Sequence, residues 1–217
     1  MDRRGFMSRL TSIFSSRREG DPFFFGLQIV INVYGEDDLR ARLHRVIAES
    51  AHVETPLEQR NVYKRIAAIL RESQPFFEYG YWDYITDPDN AADEFHDWVD
   101  GIEATMASVD EELGEDVDEM YRMSAEKSYV VVSIAFLLEL HRSLEEMIEI
   151  VESIPEEEYF TPFGFSRLID AMTYIDFEYS HGDAIFIMPG NERDGFSWTD
   201  MRGEGWEYLK PIMGTIH

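Results

Sequence analysis

Along residues 23–35, FFFGLQIVINVYG, Leu27, Ile29, Ile31 and Val33 are separated by Gln28, Val30 and Asn32. A period of two predicts a strand near 24–34, ended by Gly35. The spacing then switches to that of helices. Leu39, Leu43, Val46 and Ile47 share one helical face, and so do Tyr63, Ile66, Ile69 and Leu70. Thr55-Pro56 opens the second of these helices, with threonine as its cap and proline in the first position, and Pro75 closes it. After an aromatic stretch and a turn-prone Asp87-Pro88-Asp89-Asn90, two further stripes follow: Phe95, Trp98, Val99, Ile102 and Met106, then Val109, Leu113, Val117 and Met120. Two helices are expected there, each with a wet outer face, because nine acids fall between Glu103 and Glu126.

YVVVSIAFLL, residues 129–138, is continuously apolar and rich in β-branched side chains. Its length and composition predict a central buried strand. Ser143, with Glu146 three residues on, reads as the capping box of a helix carrying Leu144, Met147, Ile148, Val151 and Ile154. Pro155 stops that helix. Phe165, Leu168, Ile169 and Met172 mark another, and residues 183–188 a strand ended by Pro189-Gly190. TYIDFEYS, residues 173–180, alternates well enough to be read as a strand pairing back through His181-Gly182. The expected fold is α+β: a small mixed sheet, with strands near 24–34, 129–138 and 183–188, packed with about six helices. Organisation follows as a basic segment over 1–20 and one acidic α+β domain over 21–217.

Charge changes this picture most. The 217 residues carry 19 Lys and Arg against 44 Asp and Glu, a formal charge of −25. Residues 1–18 hold five arginines and one acid, so the remainder stands at −29. Such a body repels phosphates, which argues against nucleic acid as a partner and for a basic protein surface or groove. Hydrophobic residues at 44% and aromatics at 14% supply a core despite the acidity. Zero cysteines exclude disulfides, thiolate metal sites and cysteine nucleophiles, in keeping with a cytoplasmic location. No apolar run approaches the ~20 residues of a membrane span.

The basic opening, MDRRGFMSRLTSIFSSRREG, has its own design. Phe6, Leu10, Ile13 and Phe14 fall on one helical face, while Arg3, Arg4, Arg9, Arg17 and Arg18 occupy much of the rest. A basic amphipathic helix of this kind docks on an anionic membrane interface, on a partner, or on the acidic body of its own chain. Its Arg- and Ser-rich character is also that of a transit peptide, against which stand Asp2 and the lack of a clear cleavage site.

Motifs for chemistry are sparse. His44, His52, His96, His141, His181 and His217 form no metal-ligand spacing, and His44 and His52 lie two helical turns apart. DPDNAADEFHD departs from a calcium loop at Ala91, Ala92 and Trp98, and reads as an aspartate turn feeding a helix N-terminus. There is no Gly-x-Ser-x-Gly and no phosphate loop, and MRGEGWE, residues 201–207, reads as a turn. No cofactor and no catalytic residue is assigned. Phe76, Phe77, Tyr79, Tyr81, Trp82 and Tyr84 form an aromatic loop that either seals the core or presents an interaction surface.

Several stretches occur in an order that resembles a known family. They are Leu27-Gln28, RARLHRVIAESAHVETPLE, AILRESQPFFEYG, YVVVSIAFLLE, and IFIMPGN followed by GFSWTD and YLKPI. The family is an uncharacterised domain of unknown function widespread in cyanobacteria and plastids, with some thylakoid-associated members. The resemblance spans most of 23–213 and implies the fold and proximity to a membrane. It supplies no catalytic residues. The chain departs from the family's Trp-Thr-Pro-Gln after the last strand, having Ile187-Met188-Pro189-Gly190, and its 103–126 block is more acidic.

The functional expectation is a non-enzymatic adaptor, cytoplasmic or peripheral to a membrane, that docks through its N-terminal helix and acidic face. The alternative is a small-molecule-binding protein or hydrolase with a site near 76–84.

Overall fold

The computed structural model describes residues 19–33, 38–112, 128–190, 195–203 and 205–213. Strand β1 (Pro22–Asn32) is followed by helices α1 (Leu39–Ser50) and α2 (Pro56–Ser73), strand β2 (Phe77–Ile85) and helix α3 (Pro88–Glu112). Strand β3 (Tyr129–Glu139), helices α4 (Glu145–Glu152) and α5 (Pro162–Met172), strand β4 (Ser180–Met188), the short helix α6 (Trp198–Met201) and the two-residue strand β5 (Lys210–Pro211) complete the order. This is an α+β fold. The expected apposition of β1 and β3 is direct, with Leu27 opposite Ile134 and Phe25 opposite Phe136.

The sheet has the order β4-β3-β1-β2-β5 and is antiparallel at every pairing, where a mixed sheet was expected. Helix parity is the reason. Two helices join β1 to β2, and two join β3 to β4, so each excursion returns the chain pointing the opposite way beside its starting strand. The single described helix between β2 and β3 returns them parallel to each other, and β1 lies between them.

Both faces of the sheet are covered. Phe23, Phe25, Leu27, Ile29 and Ile31 of β1 point into a core shared with α1, α2, α4 and α5. Phe24 and Val30 point the other way, toward α3 and the segment 196–209. Helix α2 begins as expected: Thr55 Oγ1 accepts from the Glu58 N–H, and the Glu58 carboxylate accepts from the Thr55 N–H.

Four expectations change. The aromatic stretch 76–84 is not a loop: Phe76 lies in a 3-10 turn and the rest in β2, with Trp82 and Tyr84 in one core and Tyr81 in the other. Helix α3 carries the stripe from Phe95 to Met106 and runs on to Glu112, so that Val109 belongs to it and not to the start of a second helix, whose other positions, Leu113, Val117 and Met120, lie outside the described residues. Ser143 does not cap α4: it lies in a 3-10 turn over Arg142–Leu144, capped by His141 Nδ1 accepting from the Ser143 N–H, and the N-cap of α4 is Leu144, with no side-chain cap. TYIDFEYS is not a strand; Phe177–Tyr179 form a 3-10 turn capped by Asp176, and β4 starts only at Ser180.

Candidate functional site

A recess lies where the C-terminal segment crosses β2. It begins at Phe196, whose backbone exchanges two hydrogen bonds with Tyr129 of β3 (3.0 and 2.9 Å). Ser197 then caps α6: its Oγ accepts from the Asp200 N–H at 3.2 Å, and the Asp200 carboxylate accepts from the Ser197 N–H at 2.7 Å. Gly205 has φ +100°, a left-handed conformation open to glycine at no steric cost, and it turns the chain back toward the sheet. The Tyr208 hydroxyl donates to Gln28 Oε1 at 2.6 Å, anchoring this segment to the buried centre of β1. Ile212 donates its N–H to the Glu78 carbonyl at 2.8 Å, alongside the short β5 pairing.

These anchors leave a recess of about 440 Å³ lined by Tyr79, Trp198, Met201, Arg202, Trp206 and Leu209, with Gly203 and Glu207 at the same opening. Tyr79 and Trp198 lie 5.7 Å apart by ring centroids, and the Arg202 guanidinium carbon sits 5.7 Å from the Trp198 ring centroid, a cation-π distance. Trp198 is 42% exposed, although large aromatics are usually buried. Burial, aided by the Glu78 charge and opposed by Arg202, raises the Tyr79 hydroxyl above its ordinary pKa, so this wall stays neutral at physiological pH. Among the described residues no salt bridge to Arg202 is present. Such walls can stack on a planar or apolar group while the guanidinium donates hydrogen bonds at its rim.

Glu78, next to Tyr79, accepts from Asn32 Nδ2 at 2.5 Å and from the Tyr129 hydroxyl at 3.2 Å. It stands where the β1–β2 register shifts between Val30 and Ile31. That irregularity turns Phe77 into the opposite core, while Tyr79 keeps the alternation of Tyr81 and Ile85 and lines the recess.

Of the expected interaction surface, the structure brings only Tyr79 to the recess. Phe77, Tyr81, Trp82 and Tyr84 are buried as core, and Phe76 is exposed on a separate 3-10 turn. Arg3, Arg4, Phe6, Arg9, Leu10, Ile13, Phe14, Arg17 and Arg18 lie outside the described residues. The segment 201–207 does turn, as its glycines imply, yet Arg202 and Trp206 within it line the recess. A signal was there: MRGEGWE places an arginine and a tryptophan, residue types enriched where proteins bind, in one short glycine-bearing stretch. Asp87 behaves as expected, accepting from the Asp89 N–H at the start of α3. Among the described residues no His, Asp and Glu side chains group so as to hold a metal ion, and no helix is long and apolar enough to cross a membrane.

Comparison with family models, with curated proteins and with solved structures finds no match to this chain. The resemblance to the cyanobacterial and plastid family therefore rests on its short motifs and contributes nothing to the site.

Proposed function

We propose that the chain is a protein-interaction domain, an adaptor whose recess beside Tyr79 receives an apolar or aromatic anchor residue of a partner. The supporting observation is the Tyr79–Trp198–Arg202 arrangement, with Trp198 left 42% exposed at the mouth of the recess. Trp, Tyr and Arg are the residue types that dominate binding energy at protein interfaces. Docking of residues 1–18 on a partner or an anionic membrane, and a cytoplasmic or membrane-peripheral location, belong to the same proposal. A second reading, a small-molecule-binding protein or hydrolase, is favoured by the recess volume, which falls within the roughly 300–1,000 Å³ of ligand pockets.

Titration with N-acetylphenylalaninamide, followed by tryptophan fluorescence, tests the assignment. A saturable change is expected in the wild type, weakened at least tenfold in Trp198→Ala while the circular dichroism spectrum is retained. An unchanged titration in that variant removes the recess from the function. Turnover of a small aromatic ester that is lost in the same variant moves the assignment to the second reading.

A further inference from the structure

At the other end of the sheet, about four strand spacings or 19 Å from β5, β4 is an edge strand of nine residues. Its inner side pairs with β3 from Met188, opposite Val131, to Ser180, opposite Leu138. Among the described residues nothing pairs with its outer side. An unpaired edge of this length presents a row of backbone donors and acceptors, and proteins that leave one bare guard it with charge, proline or a bulge. Here a bulge falls at His181, and only Asp183 carries fixed charge within SHGDAIFIM. That carboxylate is turned to the Tyr63 hydroxyl and Gln59 amide of α2. The central residues Ala184, Ile185 and Phe186 are half-buried and uncharged.

The helices on either side of this edge differ in sign. Helix α1, which packs against β4 on one face, carries Arg40, Arg42 and Arg45 against one acid, Glu49; Arg42 pairs with Asp38 and Glu72, and Glu49 with Arg65. Helix α3 packs on the other face, where its Phe95 ring lies 3.1 Å from the position a Cβ on Gly182 would take. By helical spacing its flank beyond Phe95, away from Trp98, carries Glu103, with Asp89 and Asp100 toward solvent beside it, no lysine or arginine through Glu103, and none of these three carboxylates in a salt bridge among the described residues. A strand added at β4 would place alternate side chains over each face, one set toward α3 and the other toward α1.

We infer that the outer edge of β4 takes up an extended segment of another protein as an added strand, with basic residues on the α3 side alternating with uncharged ones on the α1 side. The edge supplies the hydrogen bonds, and the acidic helix selects the sign of the occupant. A second copy of this chain does not fit. Antiparallel β4–β4 pairing has its two-fold axis across the sheet, so α3 would meet α3 and α1 would meet α1. Each chain also brings a net charge of −25. This surface is distinct from the recess, and its test does not depend on Trp198.

The probe is fluorescein-labelled Lys-Val-Lys-Val-Lys-Val-Lys, titrated with the full-length chain by anisotropy. Its controls are the same peptide with the central valine replaced by proline, and the Glu-Val analogue. Saturable binding is expected at least tenfold tighter than for the proline peptide, with none for the acidic one. Glu103→Lys, and the double variant with Asp100→Lys, exposed positions that leave the fold intact, weaken it, the double at least tenfold. Hydrogen exchange checks the geometry: alternate amides of 181–188 exchange fast in the free chain and slow with peptide. Equal binding of the proline peptide overturns the proposal, since charge alone would then suffice. Full protection of the β4 amides in a free monomer overturns it by showing the edge already covered within the chain. A dimer in sedimentation equilibrium whose β4 amides are protected overturns it in favour of self-pairing.

Discussion

The Tyr63 hydroxyl donates a hydrogen bond to Asp183 Oδ2 at 2.7 Å, joining α2 to β4 across 120 positions of sequence. Gln59, one turn earlier on α2, donates its side-chain amide to the same oxygen at 2.6 Å. The tyrosine ring is only 1% exposed and stacks on Phe177 with centroids 5.1 Å apart. A buried hydroxyl requires an acceptor, and Asp183 provides it from the edge strand.

Tyr63→Phe removes a hydrogen bond to a charged group and is expected to cost about 1.5–3 kcal/mol at pH 7. Burial first, and then the Asp183 charge and hydrogen bond, hold the Tyr63 pKa well above its ordinary value of 10.0. The folded state therefore keeps a proton that the unfolded chain releases near pH 10. The hydroxyl's stabilisation is complete below that pH and is lost as pH rises toward the higher folded value. Urea midpoints at pH 7 and pH 11 should show the gap between wild type and Tyr63→Phe narrowing at the higher pH; a constant gap would mean that the hydroxyl is not held protonated by the fold.

Two glycines predict opposite outcomes for the same substitution. At Gly164, in the first turn of α5, a Cβ would land on the Glu158 carbonyl oxygen, a backbone atom with no rotamer to move. Gly164→Ala should destabilise by about 1–3 kcal/mol or more. Gly101 lies in α3 with nothing within 4 Å of the added carbon. Gly101→Ala should stabilise by about 0.5–1 kcal/mol, by removing the entropy cost of glycine in a helix. Chemical denaturation of both variants decides the matter, and stabilisation of both would contradict the packing at the start of α5.

Within β2 and the turn before it, aromatic residues of similar appearance in the sequence should differ sharply. Trp82 is 1% exposed, packs edge-on against Tyr159 and donates from Nε1 to the Tyr159 carbonyl at 3.0 Å. Trp82→Ala is expected to cost about 3–5 kcal/mol. Phe76 is 40% exposed, so Phe76→Ala should change stability by only about 0.5 kcal/mol. Thermal melts of the two variants suffice to check this; a comparable loss in both would place Phe76 in the core.

From the sequence alone came the α+β class, the course of β1 and β3, the apolar faces of α1, α2, α4 and α5, and the Thr55 cap. These are settled by alternation, helical periodicity and capping chemistry, all of which act over a few residues. Strand β2 escaped such a reading because residues pointing to both of its faces are aromatic, so a sheet buried on two sides leaves no polar alternation to detect. The antiparallel order depended on pairs of helices reversing the chain, a property of how whole elements dock. The recess needed Tyr79 to meet Trp198, Arg202 and Trp206, more than a hundred residues later, through anchors such as Tyr208 to Gln28. The place of β4 at the end of the sheet is likewise invisible locally, since whether a strand lies inside or at the end of a sheet depends on which other strands come to lie beside it. Short-range chemistry specifies elements; only long-range packing, which trades chain entropy for buried area, decides which side chains meet.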